Sequence, residues 1–555
     1  LVDNAKVDLK ADNATVTRTF DTAGTTLGLK LSGNTTTTPT ISDAVTLNIT
    51  TGTATLNDIA ALVLDDDVTT TLTATGSTTD SAALATGAIT GTNLLSSITA
   101  TSSATSATVT IGAIVDADAL TSIVANADKG DITFSGAIGS GGSAEGLTTI
   151  TATADNGATT TFSNTITADT TDSTTDVATT VTATASTAAS TVALGTLTNT
   201  YGTVTATSSG PGTVGATAIT AEDINLTHSA GTASTYGTLT SSDDLVATIS
   251  GAALTTITTL TVTDDTTITV TGDGGLTIGT VTDGIGDFTL DGSASSGVIT
   301  VTTNSATSTT EPHILTGGSN NDSLTGGDDG DTITGGAGND TLTGGGGNDT
   351  LTGGDGNDTL VAGTGTVTLS GGAGNDTLTI AATYTSSDSF DGGEGTDTAT
   401  MSTNTTIAPT LTNIEKATVG FIAGGAFNAG NSSSLTTITV EEKTTGTAAP
   451  ATVINVASGT QVILTDTDSG SDLTTLTLDS VNDAAVTLTA RLAQGEATTI
   501  TDVASLTINA ASTGTTASVG ALALDNADTT SLTFVGADTA YALSTGAITL
   551  SEKVS

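Results

Sequence analysis

The stretch Gly-Gly-Ala-Gly-Asn-Asp-Thr-Leu-Thr at residues 335–343 is one of a series of nine-residue units that begins at Gly317. The units at 317–325, 326–334, 344–352 and 353–361 repeat its leading glycine pair, its Asp at the sixth position and its aliphatic residue at the eighth. The unit 362–370 keeps the frame but has Val367 at the Asp position, and 371–379 restores it with Asp376. The aliphatic position is filled in register by Leu315, Leu324, Ile333, Leu342, Leu351, Leu360, Leu369 and Leu378. A flexible Gly/Asp-rich linker has no reason to hold this register, so the pattern predicts repeated structural units.

Each unit is expected to form a six-residue turn followed by a three-residue strand whose central aliphatic side chain points inward. Glycines allow positive φ in the turn and leave its carbonyl groups accessible. Two units then make one coil, so that every second turn lies on the same side. One side carries Asp322, Asp340, Asp358 and Asp376, and the other carries Asp331 and Asp349, followed by Val367.

This geometry predicts calcium sites between stacked turns. Parallel rungs lie about 4.8 Å apart, and calcium–oxygen distances are about 2.3–2.6 Å, so one ion fits between two carboxylates. Two bare carboxylates about 5 Å apart would repel by roughly 3 kcal/mol at an effective dielectric of 20, which predicts that calcium binding and folding are one event. The available ligands are oxygen atoms and the chain has no Cys, which disfavours zinc and copper.

Four sites are expected in the pairs Asp322/Asp340, Asp340/Asp358, Asp358/Asp376 and Asp331/Asp349, while a site at Val367 is expected to be empty or weak. The predicted metal-binding residues are Asp322, Asp331, Asp340, Asp349, Asp358, Asp376, Asp397, Gly317, Gly326, Gly335, Gly338, Asn339, Gly344, Gly347, Asn348, Gly353, Gly356, Asn357, Gly371 and Gly374.

The rest of the chain is rich in Thr, Ala and Ser and indicates short strands separated by Gly or Asp turns, as at 45–49, 267–271 and 297–301. A Leu-x-x-Ile phrase starts at Leu95, Leu120 and Leu147 and returns at Leu254 and Leu435, with a Leu-x-x-Leu variant at Leu473. The short and nearly regular spacing of the first three copies favours stacked β-rungs. The predicted fold is therefore all-β, an irregular β-solenoid or tandem β-units with a calcium-binding parallel β-roll. Residues 1–310 are expected to form a Thr/Ala-rich β region, 311–400 the β-roll and 401–555 a C-terminal β region. A faint helical pattern covers 57–64.

The amino-acid composition limits the functions and partners that the chain can have. The 555 residues include 57 acidic and 9 basic residues, for a net charge of −48, and none of the basic residues lies between Lys129 and Lys416. Phosphate binding needs clustered Lys and Arg, so nucleic acid is excluded as a partner. A divalent cation is expected to neutralise the acidic side chains instead. The chain has no Cys, which in an extracellular protein means stability without disulfides. The sequence begins without a charged-then-apolar leader, and its apolar runs are too short for a membrane span.

Two common catalytic motifs are missing from the sequence. His228 and His313 are the only histidines, and neither a His-Glu-x-x-His nor a Gly-x-Ser-x-Gly motif occurs. Thr-x-Thr runs such as 261–263 are expected to be exposed strand faces, with an ice-binding array as the weaker alternative. Asp264, Asp265 and Asp273 are expected to be solvated turn residues, with accessory calcium binding left open.

Residues 317–398 resemble the RTX repeats of type I-secreted proteins, and the Thr/Ala/Gly-rich, Cys-free remainder resembles crystalline surface-layer (S-layer) proteins of Gram-negative bacteria. The segment Gly392-Gly-Glu-Gly-Thr-Asp397, followed by Asn413-Ile-Glu415, is similar to the block after RTX turns in that family. The resemblance implies one-step export, folding outside the cell in calcium, and self-assembly into a two-dimensional lattice at the cell surface. Cell-surface polysaccharide is a further implied partner. A segment of a large RTX adhesin is the alternative function, and an extracellular enzyme whose carboxylate pair lies in the β region is a third.

Overall fold

The computed structural model describes the backbone of residues 5–9, 17–18, 26–31, 40–41, 46–51, 56–64, 71–76, 83–90, 94–105, 107–115, 118–140, 146–168, 177–283, 286–304, 312–380, 384, 387–421, 425–442, 451–465, 475–491, 497–510, 517–519, 522–525, 531–535, 543–545 and 548–550. Side chains are described only between residues 46 and 463, with further gaps. The chain forms two compact units, Leu1–Glu311 and Pro312–Ser555. The three-segment division expected from the sequence stays a prediction.

Strands β1 to β29 of the first unit are, in chain order, Ala5–Leu9, Thr17–Arg18, Thr26–Leu31, Thr40–Ile41, Thr46–Thr51, Leu56–Leu64, Thr71–Thr75, Ala83–Thr90, Ser97–Ser102, Val109–Ile111, Ile114–Val115, Ser122–Ala127, Ile132–Phe134, Ile138–Ser140, Thr149–Ala154, Thr159–Phe162, Ile166–Thr167, Thr179–Ala185, Thr191–Asn199, Val204–Ser209, Thr213–Ala221, Ile224–His228, Ser234–Ser241, Leu245–Ile249, Thr255–Val262, Thr266–Gly272, Leu276–Asp283, Phe288–Ser295 and Ile299–Asn304.

Strands β30 to β53 of the second unit are Ile314–Thr316, Ser323–Thr325, Thr332–Ala337, Thr341–Gly345, Thr350–Asp355, Thr359–Gly363, Thr368–Ala373, Thr377–Ile380, Ser389–Glu394, Thr398–Thr403, Thr406–Ile407, Leu411–Thr412, Lys416–Phe421, Gly425–Asn428, Thr437–Glu442, Ala451–Val456, Gln461–Thr465, Thr475–Arg491, Ala497–Ala510, Ala517–Val519, Leu522–Asp525, Ser531–Val535, Leu543–Thr545 and Ile548–Leu550. A single 3₁₀ turn, Ala429–Asn431, follows β43 in the described residues.

Alternation of small apolar and Thr residues explains the strands of the first unit. In β9, β12 and β15 every second residue is buried and the residues between them are half-exposed. Because strand side chains alternate between the two faces, the apolar set forms a core, and residues that are mostly Thr and Ser cover the surface. The three strands pair in parallel, so that Ile98, Ile123 and Ile150 stack. The Leu-x-x-Ile phrase therefore marks successive rungs of a parallel β-solenoid, which confirms the predicted fold class.

The length of a coil varies in the first unit. Ile150 pairs with Val181 on the next rung, whereas Ala206 pairs with the much nearer Leu226. Turns of different length absorb this difference while the strands keep their pairing. The solenoid is irregular, as the drifting spacing of the phrase predicts.

The helical pattern at 57–64 is wrong as a prediction, because Leu56–Leu64 is the strand β6. It pairs in parallel with β8 over most of its length, from Leu56 opposite Ala83 to Val63 opposite Thr90. Such a short apolar run cannot by itself separate helix from buried strand, and here pairing with neighbouring rungs decides. Within the described residues, no helix is long and apolar enough to cross a bilayer.

The nine-residue repeats of the second unit form coils that are two repeats long. Leu315 stacks on Ile333 and Leu324 on Leu342, and the pattern continues to Leu360 on Leu378. All eight aliphatic side chains of the register are at most 1% exposed. The inward position and the two-repeat coil are therefore confirmed. Later strands continue the parallel stacking beyond the repeats, with Ala417 opposite Ala399 and Ile438 opposite Ala417.

Candidate metal centre

A ladder of backbone-to-carboxylate hydrogen bonds runs down one side of the repeats. The backbone N–H of each Asp donates to Oδ1 of the Asp one coil later. The N···O distances are 2.7 Å from Asp322 to Asp340, 2.7 Å from Asp340 to Asp358 and 2.8 Å from Asp358 to Asp376. The structure thus brings together the three same-side pairs that the two-repeat coil predicts.

The same ladder continues beyond the nonapeptides. The N–H of Asp376 donates to Oδ1 of Asp397 at 2.7 Å, across a longer coil than those of the repeats. The N–H of Asp397 then donates to Oε2 of Glu415 at 2.9 Å. Leu369 and Phe390 are three residues further apart in the sequence than paired residues of the repeats, and they still pair in parallel. Asp397, which is out of phase in the sequence, is therefore in phase in the fold.

The second ladder, on the other side, is interrupted. It starts at His313, whose N–H donates to Oδ1 of Asp331 at 2.8 Å, and continues from Asp331 to Asp349 at 2.9 Å. Val367 occupies the next position and is 4% exposed. Its N–H donates to Oδ1 of Asp388 at 2.9 Å. Val367 therefore keeps the backbone geometry of the ladder but contributes no carboxylate.

The second oxygen of these carboxylates has a different environment. In Asp322 and Asp331, Oδ2 accepts the N–H of Gly318 and Gly327, at 2.6 and 2.7 Å. In the described part of the chain, five other buried carboxylates have an Oδ2 without any hydrogen-bond partner: Asp340, Asp349, Asp358, Asp376 and Asp397. Each of the five residues is at most 1% exposed. Buried polar atoms are almost always paired, so five unpaired oxygens in series indicate a ligand.

Each unpaired oxygen faces a backbone carbonyl across the first glycine of its repeat. A Cβ added to Gly335 would collide with both Oδ2 of Asp340 and the carbonyl oxygen of Gly353, one coil later. We call this arrangement of glycine, carboxylate oxygen and carbonyl oxygen a cradle. The same arrangement recurs at Gly317, Gly326, Gly344, Gly353, Gly371 and Gly392. The first glycine has no side chain, which leaves space between the carboxylate oxygen and the carbonyl oxygen, two atoms that can bind a metal ion.

The fourth and fifth positions of the repeat have structural roles. Gly338 has a φ of 123°, in the left-handed region that glycine tolerates. The N–H of Asn339 donates to Oδ1 of Asn321 at 2.8 Å, and that of Asn357 donates to Oδ1 of Asn339 at 2.7 Å. Oδ1 of Asn348 likewise accepts from Thr366. These amides form their own ladder, and metal ligation by Gly338, Asn339, Asn348, Asn357 and the equivalent glycines Gly347, Gly356 and Gly374 stays a prediction.

Burial makes the stacked carboxylates hard to ionise. Desolvation, with neighbouring carboxylates of the same ladder adding to it, raises the pKa of Asp340 and Asp349 to about 7 and that of Asp376 to about 6. The pKa of Asp358 and that of Asp397 are also raised, mainly by burial. No Lys or Arg forms a salt bridge with these groups in the described residues. A cation that binds the charged form would remove this penalty.

Comparison with known families agrees with the geometry. Residues 316–351 and 352–379 match the model of the RTX calcium-binding nonapeptide repeat. The chain carries RTX calcium-binding repeats. RTX nonapeptide repeats bind calcium, so the predicted cofactor is confirmed. No curated protein matches the chain, and no solved structure matches it.

Three residues of the RTX ladders were missed in the sequence, and a shared signal could have found them. Asp388, Glu415 and His313 each stand two positions before a buried side chain, namely Phe390, Ala417 and Leu315. This is the offset between the repeat Asp and its aliphatic. Searching for a polar residue at that offset, without requiring the glycine pair, would have extended both ladders.

Two other sequence features belong to the first unit. Asp264 is exposed and lies near Asp243 and Asp244, with carboxylate oxygens within 4.8 Å of one another. His228 is buried in the first unit, where Nδ1 lies 2.6 Å from Oγ of Ser208 and 2.9 Å from the hydroxyl of Tyr236. Burial lowers the pKa of His228 to about 4, so it is a neutral core histidine at physiological pH.

Proposed function

We propose that this chain is a secreted structural protein whose RTX block folds when calcium occupies the cradles. The observation that carries the proposal is the series of buried, unpaired Oδ2 atoms facing backbone carbonyls. Carboxylate and carbonyl oxygens are the donors that calcium prefers. Asp340 illustrates the assignment: Oδ1 holds the backbone of the preceding coil and Oδ2 is free for the ion.

The four pairs expected from the sequence fit this scheme. Each of the pairs Asp322/Asp340, Asp340/Asp358, Asp358/Asp376 and Asp331/Asp349 contains at least one carboxylate with an unpaired Oδ2. We assign calcium ligation in the RTX block to these carboxylates and to the carbonyl groups of the first-position residues. The ion offsets the repulsion between stacked carboxylates, which makes metal binding part of the folding free energy.

We further propose that the protein assembles with copies of itself into a surface layer. Support comes from composition and fold. The net charge of −48 needs divalent neutralisation. The outward positions of β9, β12 and β15 taken together are mostly Thr and Ser, which suits contact with a polar partner rather than a lipid surface. Its role is then structural and non-catalytic, on the outside of the cell, with surface polysaccharide as the attachment partner. The alternative, an adhesin segment, shares calcium-dependent folding but not lattice formation.

Calcium titration of matched variants tests the ligand assignment. Asp340→Asn keeps an oxygen that accepts the N–H of Asp322 but replaces the unpaired Oδ2 with an amide, so it should bind one ion fewer and melt at lower temperature in calcium. Asp355→Asn, in an exposed third position of a repeat, should match the wild type in both. Isothermal titration calorimetry and thermal circular dichroism measure the two effects. Equal stoichiometry for Asp340→Asn and wild type would refute the assignment.

A further inference from the structure

Three polar side chains form a cluster inside the apolar core of the first unit. Ser208, His228 and Tyr236 are at most 3% exposed. Oγ of Ser208 lies 2.6 Å from Nδ1 of His228 and 2.8 Å from the hydroxyl of Tyr236, and that hydroxyl lies 2.9 Å from the same Nδ1. The two rings contact edge to face, with centroids 5.5 Å apart. The cluster therefore joins the paired strands β20 and β22 of one sheet to β23 of the other.

The two ring nitrogens of His228 have different surroundings. Nδ1 is within hydrogen-bond distance of both hydroxyl groups, whereas Nε2 is buried and has no hydrogen-bond partner in the described residues. A neutral imidazole carries one N–H and one lone pair, so the hydroxyl groups can serve Nδ1 in either tautomer. The charged ring carries an N–H on both nitrogens, and its Nε2–H would be a buried cationic donor without an acceptor. The cluster thus accommodates only the neutral ring.

The strands packed around His228 offer no charge that would stabilise the charged ring. Strands β20 to β25 contain no Asp, Glu, Lys or Arg. His228 is the last residue of β22, whereas the acidic pairs of the neighbouring turns precede the first residues of β22 and β24, about 16 Å away along an extended strand. Asp273 stands in an exposed turn two coils later, about 10 Å along the stack. The acidic pairs are Glu222 with Asp223 and Asp243 with Asp244. These distances exceed the Debye length of about 8 Å at physiological salt.

We propose that the cluster of Ser208, His228 and Tyr236 is an acid-sensitive lock, which holds the coils from β20 to β24 closed only while His228 is neutral. Burial lowers the pKa of His228 to about 4, from the ordinary value of 6.5. Between these values the exposed ring of the opened state binds more protons than the buried ring, so the free energy of opening falls as pH falls. Coils of a solenoid contact chiefly their neighbours, so the opening is local. The lock belongs to the first unit and does not rest on the calcium proposal.

Amide hydrogen exchange of the full chain, followed by mass spectrometry and corrected for the intrinsic effect of pH, measures the opening. In calcium, the opening equilibrium of β22 and β23 should rise roughly 50-fold from about pH 7 to about pH 4.5, whereas that of β12, several coils away, should change far less. Asp155 and Asp291, whose pKa is lowered by hydrogen bonds with serine residues, titrate mainly below this range. A local measurement is needed because the buried carboxylates of the RTX block respond to pH in the opposite direction.

Two variants separate protonation from packing. His228→Asn places a neutral amide near the position of Nδ1 but takes up no proton, so its opening equilibrium should change less than about threefold over the same pH range. Tyr236→Phe removes one hydroxyl and leaves His228 buried, so it should open more at both pH values but keep most of the acid response. The lock is overturned if His228→Asn responds to acid as the wild type does, or if β12 of the wild type opens as much as β22. It is also overturned if wild-type β22 opens equally at both pH values, a result that requires no variant to fold.

Discussion

The two carboxylate oxygens of Asp340 have different roles. Oδ1 accepts the backbone N–H of Asp322 and sets the spacing of two coils, whereas Oδ2 is buried and unpaired. An uncharged amide would satisfy the first task, but only a charged oxygen serves the second. Without an ion the second oxygen costs free energy, because burial disfavours the ionised form. Under the proposed ligation, the same side chain stabilises the calcium form and destabilises the metal-free form.

This conflict predicts the pH dependence of the metal-free protein. The folded pKa of Asp340 and Asp349 is about 7, above the ordinary value of 3.8 for an aspartate. Between these values the folded state binds more protons than the unfolded state, so the free energy of unfolding falls as pH rises. In chelator, the melting temperature should be higher near about pH 5 than near about pH 7.5. Thermal circular dichroism measures it.

Calcium should reverse the sign of this pH dependence. The ion competes with protons for the same oxygens, so calcium should stabilise the fold more near about pH 7.5 than near about pH 5. Replacing both Asp340 and Asp349 with Asn should make the metal-free pH profile less steep, because two groups with raised pKa are gone while those of Asp358, Asp376 and Asp397 remain. A metal-free melting temperature that rises between these two pH values would contradict the interpretation.

Val367 offers the converse experiment. It stands between Asp349 and Asp388 in the second ladder, and its N–H already has the ladder hydrogen bond. Val367→Asp should add one calcium ion and raise the melting temperature in calcium by a few degrees, while lowering it in chelator. Val367→Asn, which is polar but uncharged, should gain no ion. Unchanged stoichiometry for Val367→Asp would argue against pairing at this position.

The sequence predicted which Asp residues of the repeats lie next to one another, because in a strictly periodic coil the distance along the sequence determines which residues are neighbours in space. Asp322 and Asp340 stand exactly two repeats apart, and they meet. Asp388 and Glu415 could not be placed in the same way, since the coil before each departs from the glycine pattern. Their positions depend on turns that absorb extra residues, which spacing alone does not reveal.

At the scale of elements, a coil tolerates added residues in its turns but not in its strands. The insertion after Ile380 lengthens one coil and leaves Leu369 opposite Phe390 and Leu378 opposite Ala399. Turn length is therefore free to drift, as it does in the first unit. Strand pairing is not free, because a one-residue slip would expose every buried aliphatic. This is why the fold class was predictable and the individual boundaries were not.

Glycine positions within one turn should differ in tolerance. A Cβ at Gly335 would enter the cradle between Asp340 Oδ2 and the carbonyl of Gly353. Gly335→Ala should therefore weaken calcium binding and destabilise the calcium form by roughly 1–3 kcal/mol. Chemical denaturation in calcium measures this loss.

Gly346 is the matched control, since it occupies the third position of its repeat, where Ala337 and Ala373 stand in other repeats. Its backbone lacks a positive φ. Gly346→Ala should cost far less than Gly335→Ala. Equal losses for the two variants would mean that the cradle does not require its first glycine.

At the scale of the whole molecule, charge sets the conditions for assembly. The chain carries a net charge of −48, so identical subunits in contact should repel strongly. At physiological salt the Debye length is about 8 Å, which screens distant charges but not those in direct contact. Assembly into a layer would therefore need calcium within and between subunits, and monovalent salt should not replace it.

Electron microscopy and light scattering of the purified protein separate the surface-layer proposal from the adhesin alternative. Adding calcium should produce ordered sheets, a chelator should return them to soluble subunits, and sodium chloride at equal ionic strength should produce none. An adhesin segment would fold in calcium, as judged by circular dichroism, but remain monomeric. An enzyme would behave like the adhesin and also turn over a polymer. All three candidate proteins are expected to fold when calcium binds. Only the association state of the folded protein at high concentration therefore distinguishes the surface layer. Calcium-folded protein that stays monomeric there would reject the surface layer and favour the adhesin.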